Sequence, residues 1–415
     1  MNWTTLNLKK DMHKVRKLSI EDSELEEQLN ELATASADLW NTICTWYWRT
    51  LDRQNHWLSQ GAMMRWHCKS HDDFHSQTAQ AVADQFYSSI KSWQAKGPQA
   101  KPPLDREKEW NKICWKSGAI KLRSDGKLRL SNGRGNDPVL INWPVDEEPI
   151  FVEIGWNQGF EVRATYETET EDRTTGDKIA GVDLGEKHLA AVATSDDSFL
   201  LNGGRLRAIR KYQNKTKALL QEKISRKERG SNRWRKLVKS KNKQLEHLNS
   251  KITDILHKLS RKLIDMCLER DVSTVVIGKL KGIRDHIDHG RYLNQRLHQW
   301  AHGTFTDYIE YKAKQNGIDV EYVDESYTSQ TCPRCGTADD SHKNGRKFEC
   351  SNCSFEAHRD SVGAWNIREK YVSEDGEDRT SSCLPGAMAS PSGVRFEPHI
   401  SCSSRSKGPC MSNPS

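Results

Sequence analysis

The sequence predicts a multidomain α/β protein, and three observations carry that reading. Short apolar runs alternate with long helical patterns between residues 178 and 330, as in a mixed sheet covered by helices. Two Cys-x-x-Cys knuckles, Cys332/Cys335 and Cys350/Cys353, are separated by 14 residues. Before residue 170 a helical module gives way to short alternating strands.

The elements follow in order. Over 24–53, Leu25, Leu29, Leu32, Leu39, Ile43 and Tyr47 recur at helical spacing. Over 76–94, Ala79, Val82, Phe86, Ile90 and Trp93 do the same. Six of the fourteen tryptophans lie between 40 and 93. They are read as the core of the helical module, with base stacking by some of the rings as the alternative. Gly97 to Pro103 breaks the helix. Lys121–Leu130 is a hairpin candidate turning at Asp125-Gly126, and Phe160–Tyr166 alternates like a half-buried strand. Residues 115–170 therefore read as a small antiparallel sheet or barrel, and Glu167–Asp177 as a linker.

Ile179–Ala193 reads as strand, turn and strand, with Asp183 near the end of the first. Residues 205–266 are long basic helices. Val272–Ile277 is a buried-type strand, 292–316 a helix and Ile318–Val323 a further strand. After Lys370 periodicity stops, so 371–415 is expected to be disordered.

Composition bounds the class. Hydrophobic content is 35% and charged content 29%, and no run approaches the ~20 apolar residues that span a bilayer. The first residues show no charged start followed by an apolar stretch, so no secretory signal is expected and no membrane partner. Eleven cysteines, four at metal-ligand spacing, suit a reducing compartment. The expected location is cytoplasmic, associated with the nucleoid. The net charge of +7 conceals a strong asymmetry. Residues 205–262 hold 20 Lys and Arg against 4 Asp and Glu, a local +16 that leaves −9 for the rest. A solvated helical face mixes signs in i,i+4 pairs, whereas one-signed charge points to a polyanion such as nucleic acid.

Four thiolates at Cys332, Cys335, Cys350 and Cys353 can close a tetrahedral Zn²⁺ shell. Such a site is structural, because four protein ligands leave no position for water. Asp183, Glu325 and Asp360 each fall near a strand end or at a helix start beside the sheet. Brought to one sheet edge, three carboxylates can hold two Mg²⁺ ions for phosphodiester hydrolysis. Asp-x-Gly alone is a weak signal and gains weight only from this company. Arg359 can contact a scissile phosphate or simply pack, with His358, at a helix start.

The order Gly-Val-Asp-Leu-Gly, basic helices, Val-Val-Ile-Gly-Lys-Leu-Lys-Gly-Ile-Arg, Tyr-Thr-Ser-Gln-Thr-Cys-Pro-Arg-Cys-Gly, Cys-Ser-Asn-Cys and His-Arg-Asp-x-x-Gly-Ala-x-Asn-Ile resembles the TnpB family. These are transposon-encoded, RNA-guided DNA nucleases related to type V CRISPR effectors. The motif match covers roughly 178–370. The resemblance implies an RNase H-like RuvC nuclease over 178–330 and 354–370, with the zinc ribbon at 331–353. It implies a wedge β-barrel over 1–20 and 115–172, a helical recognition lobe over 21–114, and a tail at 371–415. Asp183 and Asp360 would be the first and third RuvC acids. The implied partners are a guide RNA from the transposon end (omega RNA) and double-stranded target DNA beside a short adjacent motif. The implied particle is a monomeric ribonucleoprotein that grips the heteroduplex through the basic helices.

One position departs from the family. The second RuvC strand carries Gly278 where most members have glutamate. In one reading the acid has moved to Glu325, 47 residues on, as in a TnpB subset and the eukaryotic Fanzor relatives. In the other the ligand is lost, leaving an RNA-guided DNA-binding protein without cleavage. Retention of Asp183 and Asp360 favours relocation. Asp324 is the rival acid, but strand alternation points it to the opposite face. An unguided ribonuclease H-like enzyme or a DDE transposase is disfavoured by the ribbon lying inside the third acidic motif.

Overall fold

In the computed structural model, the described residues are 12–69, 71–97, 100–106, 110–156, 159–168, 176–279, 302–339, 343–374 and 391–394. The chain divides into two units, Met1–Glu169 and Thr170–Ser415.

In the first unit the helical periodicities become α1 (Ser23–Gln54), a short α2 (Gln60–Met63) running into one π-helical turn, and α3 (Ser76–Lys96). Asp22 starts α1 by accepting the N–H groups of Glu24 and Leu25. Asn55 ends it in the left-handed region at φ 48°. The predicted apolar stripes of α1 and α3 meet where Phe86 lies edge-on to Trp40 and Tyr47, each 5.3 Å away. Trp40 is buried, and Trp48 and Trp93 pack on the same core. Trp46, Trp57 and Trp66 do not follow the core reading, being 44%, 47% and 65% exposed.

Strands β1 (Met12–Ser19), β2 (Ile113–Lys116), β3 (Ile120–Leu122), β4 (Lys127–Leu130), β5 (Val139–Asn142), β6 (Phe151–Trp156) and β7 (Phe160–Thr168) complete the unit. They form two antiparallel sheets, β1-β7-β6-β2 and β3-β4-β5. The hairpin turns where expected, with Gly126 at φ +75° and Asp125 Oδ1 accepting the Lys127 N–H. Glu167 and Thr168 were expected in a linker but continue β7, because β1 supplies their ladder partners.

The second unit centres on one six-stranded sheet. Its strands are β8 (Lys178–Asp183), β9 (His188–Ala193), β10 (Ser198–Asn202), β11 (Val272–Lys279), β12 (Asp319–Asp324) and β16 (Ser392–Val394). The order is β12-β11-β8-β9-β10-β16. β8, β11 and β12 run parallel, and β8, β9 and β10 form an antiparallel meander. Among the described residues the helices are α4 (Gly204–Ser225), α5 (Asn232–Leu268), α6 (His302–Gln315) and α7 (Arg359–Glu374). Residues 292–301 of the predicted fourth helix lie outside the described residues.

Both faces of the sheet are covered, which is why its strands read as continuous apolar runs. Val182, Val192 and Ile277 join α5 and α6 in one core. Their neighbours of opposite parity face α7: Ala191 and Ala193 pack with Val362 and Trp365, and Val276 and Val323 with Ile367. α7 lies very close to β8, since a Cβ on Gly181 would stand 2.1 Å from the Ala364 carbonyl oxygen.

The ribbon carries a small sheet, β13 (Lys343–Asn344), β14 (Lys347–Glu349) and β15 (Glu356–His358), which extends past Cys353 up to the start of α7. The expectation of disorder from 371 needs correction at two places. Residues 371–374 complete α7, and Ser392–Val394 pair in parallel with β10. That sheet edge supplies hydrogen-bond partners that sequence periodicity cannot reveal. Among the described residues, no helix is long and apolar enough to cross a membrane.

Candidate active site and metal centres

Asp183 ends β8 on the face that α7 covers. It fits there because residue 363 is glycine: a Cβ at Gly363 would lie 2.6 Å from Asp183 Oδ2. Burial pushes the Asp183 carboxyl up to about 7, helped by the charges of Asp360 and Glu325 and opposed by Arg359. Asp183 thus feels both other predicted acids.

Glu325 follows β12 with the parity of Val323, so it too turns toward α7. Its side chain lies over Gly278. A Cβ on Gly278 would stand 3.0 Å from Glu325 Oε2 and 2.8 Å from Ile367 Cδ1. Burial, then the neighbouring Asp324, raises Glu325 to about 7. Asp324 is turned away, its Oδ1 accepting the backbone N–H and hydroxyl of Ser326.

Asp360 sits in the first turn of α7, where the helix N-terminus favours an anion. Its Oδ2 receives Arg346 Nη1 and meets His188 Nδ1, each at 2.7 Å. A cleft of about 360 Å³ opens beside it, lined by Asp183, Lys187, His188, Arg207, Arg346 and Asp360. Glu325 is not part of that lining. A larger cavity of about 920 Å³ lies in the first unit and contains none of the predicted acids.

Two groups of potential ligands among the described residues have all their donor atoms within 4.8 Å of one another: the four cysteines, and His188, His358 and Asp360. The three acids therefore share one edge and one field but are not drawn to that spacing. Their hard oxygen donors suit a hard divalent cation such as Mg²⁺, and burial comes first in raising both Asp183 and Glu325.

The cysteines fit zinc closely. Cys332 and Cys353 Sγ are 3.7 Å apart, and Cys335 and Cys350 Sγ 3.5 Å. Zn–S bonds of about 2.3 Å place tetrahedral sulfurs roughly 3.8 Å apart. The knuckle turns use left-handed backbone at Gly336 (φ 74°) and Ser354 (φ 55°).

The motif residues between the centres have structural tasks. Asn366 Nδ2 donates to the Thr328 and Thr331 carbonyls at 2.7 and 2.8 Å. Lys370 Nζ donates to the Asp324 and Ser326 carbonyls at 2.8 and 2.9 Å. Together they tie α7 to the segment running from Glu325 to Cys332. His188 and Arg346 have no assigned role in the sequence reading. Only the Asn344-Gly345-Arg346 turn, with Gly345 at φ +62°, hints that Arg346 is held at a hairpin tip. Arg359 lies close enough to lower the Asp183 carboxyl, and its N–H donates to the Arg346 carbonyl at 2.9 Å.

On α4 and α5 most basic side chains face solvent, with few acids among them. Arg226 pairs with Glu222, and Lys258 with Asp254 at 2.9 Å.

Comparison with known proteins matches two family models. Residues 162–284 match a family described as "Probable transposase", and residues 302–367 one described as "Cas12f1-like, TNB domain". A TnpB-like protein of Methanocaldococcus jannaschii is 33% identical over 199 residues, 46% of this chain and 68% of that protein. A CRISPR-associated endodeoxyribonuclease Cas12f1 of Sulfoacidibacillus thermotolerans is 30% identical over 214 residues, 49% of this chain and 48% of that one. The chain thus spans about half the length of this Cas12f1 relative. Among solved structures, a Cas12f1-sgRNA-target DNA complex superposes with TM-score 0.60 at 16% identity, covering 84% of this chain and 83% of that one. That likeness is one of fold.

Proposed function

The chain belongs to the TnpB-like transposase family, and we propose that it is an RNA-guided DNA endonuclease whose RuvC-type centre uses Asp183, Glu325 and Asp360. The observation that carries the reading is the Glu325 carboxylate lying over Gly278 and raising the Asp183 carboxyl. An acid missing from β11 is thereby replaced from the end of the adjacent strand. On this reading the chain groups with the Fanzor-like subset.

Asp183, Glu325 and Asp360 would hold the divalent ions. Two such ions supply an activated water and neutralise the leaving oxygen of a phosphodiester. The chain's own residues prepare that chemistry. Gly363 makes room for Asp183, and Lys370 and Asn366 fix the backbone on either side of Glu325. Lys187, Arg207 and Arg346 line the cleft beside Asp360, Arg207 sharing its charge with Glu186 at 3.5 Å, and would offer a phosphodiester strand its cationic contacts. Cys332, Cys335, Cys350 and Cys353 would bind one structural Zn²⁺ and hold the ribbon, with Arg346, against α7.

Guide RNA and target DNA are the proposed partners, as in the Cas12f1 complex of similar fold. Pairing would read the target, a short adjacent motif would license it, and α4 and α5 would grip phosphate. Two further domains are proposed: a wedge over 1–20 and 115–172, and a recognition lobe over 21–114.

The test is co-expression with the chain's native flanking DNA, followed by challenge with a plasmid library randomised beside the target in Mg²⁺. Guide-dependent double-strand cuts next to a fixed short motif support the reading. Guide-dependent binding without cuts replaces it with a repressor-like protein. Cuts without RNA replace it with an unguided nuclease.

A further inference from the structure

We propose that His188, His358 and Asp360 form a second transition-metal site, specific for a borderline dication of the Zn²⁺ class. The site is separate from the cysteine cluster and overlaps the hard-cation centre at Asp360 alone. Three different elements supply the ligands: His188 opens β9, His358 closes β15 and Asp360 begins α7. Their donor atoms all lie within 4.8 Å of one another. Imidazole and carboxylate ligands stand about 2.0–2.2 Å from zinc, so tetrahedral donor atoms lie roughly 3.4 Å apart, and side-chain rotations draw the group in to that spacing. The two rings stand 5.3 Å apart at 60°, neither stacked nor hydrogen-bonded to each other in a core arrangement.

The surroundings favour a bound cation over simple packing. His358 Nδ1 is buried and makes no hydrogen bond to the described residues, an orphaned acceptor or donor beside a carboxylate. His188 and Asp360 are 13% and 18% exposed, so the group is shielded yet open to the cleft. Two imidazole nitrogens and one carboxylate oxygen prefer zinc, cobalt or nickel to magnesium. Open positions remain for water. Arg346 competes, because its guanidinium holds the same Asp360 oxygen and must yield to the metal.

This site shares Asp360 with the proposed nuclease centre, but its occupancy does not depend on that reading. Where both exist they compete. A zinc-class ion on Asp360 withdraws that carboxylate from magnesium, making such ions inhibitors of Mg²⁺-dependent cutting.

The experiment uses the full chain with its ribbon already zinc-filled. Equilibrium dialysis against Zn²⁺ measures metal per chain, and Co²⁺ titration reads visible d–d absorption without the near-ultraviolet thiolate band. The proposal expects a second zinc per chain and thiolate-free cobalt bands. His188→Gln and His358→Gln each weaken the second zinc by more than about tenfold, while ribbon zinc stays at one and reports intact folding. Arg346→Ala tightens the site. A wild-type chain that holds one zinc, or a second zinc that survives both histidine substitutions, overturns the proposal. Guided cutting in Mg²⁺ by a chain with one zinc would remove this site and leave the nuclease reading standing.

Discussion

The Glu325 carboxylate occupies the space that a side chain on Gly278 would need. A Cβ there would meet Glu325 Oε2 at 3.0 Å and Glu325 Cβ at 3.1 Å. β11 and β12 are parallel neighbours, with Gly278 level with Val323. An acid two residues beyond Val323 can therefore reach over the end of β11. Glycine at 278 and glutamate at 325 are a matched pair.

The pairing makes Gly278→Ala harmful although alanine is small. The new methyl must displace Glu325 or Ile367, an overpacking cost of about 1–3 kcal/mol. Guided cleavage should fall with it. Gly278→Glu combined with Glu325→Ala returns an acid to β11 and should cut faster than Glu325→Ala alone. Thermal melts and single-turnover cleavage rates check both.

Asp183 makes the metal-free protein sensitive to pH. Its folded-state carboxyl is raised from 3.8 to about 7 by burial first, then by Asp360 and Glu325. A raised acid adds stability that is complete below about 4 and is lost as pH rises through about 7. The rise corresponds to at most about 4 kcal/mol. In chelator at pH 8, Asp183→Asn should therefore melt higher than the wild type, and the gap should close toward pH 4. Added Mg²⁺ should stabilise the wild type and leave Asp183→Asn little changed.

Asn366 joins the two centres mechanically. Asn366→Ala leaves the Thr328 and Thr331 carbonyls without their donor in a buried setting. The expected loss is about 1–3 kcal/mol, with slower cleavage as the Glu325 segment loosens. Ribbon zinc should persist at one per chain. Hydrogen exchange over 325–332, measured with the melt, reads the loosening directly.

The basic helices should register as salt dependence. Lys236, Lys239 and Lys243 are exposed at helical spacing on α5. Replacing all three with alanine should reduce the log–log salt slope of RNA binding by about 2. Ribbon zinc and melting temperature should hardly change.

Much of this fold is written locally in the chain. The runs at 179–182, 189–193 and 272–277 lie in a sheet covered on both faces, so continuous apolarity identifies them as strands. The Cys-x-x-Cys spacing places four sulfurs at zinc distance without further help. What escaped the sequence depends on distant partners. β1 is a strand because β7 accepts it, and Ser392–Val394 because β10 has an open edge. Trp46, Trp57 and Trp66 occur in the same helical module as Trp40, yet composition does not say which side of the bundle they take. His188 and Arg346 meet Asp360 across 172 and 14 residues of sequence, with no fixed spacing to announce the contact. Glu325 is legible as a carboxylate at a strand end, and Gly278 adds the reason to weigh it as a replacement acid.

The most direct test of the relocated acid is guided plasmid cleavage by the purified ribonucleoprotein in Mg²⁺, wild type against Glu325→Gln. The amide keeps the shape that fits over Gly278 and removes the charge. The account predicts guide-dependent double-strand cuts by the wild type, and RNA and target binding without cuts by the variant. Cutting by Glu325→Gln at the wild-type rate would contradict it, because the third carboxylate would then lie elsewhere.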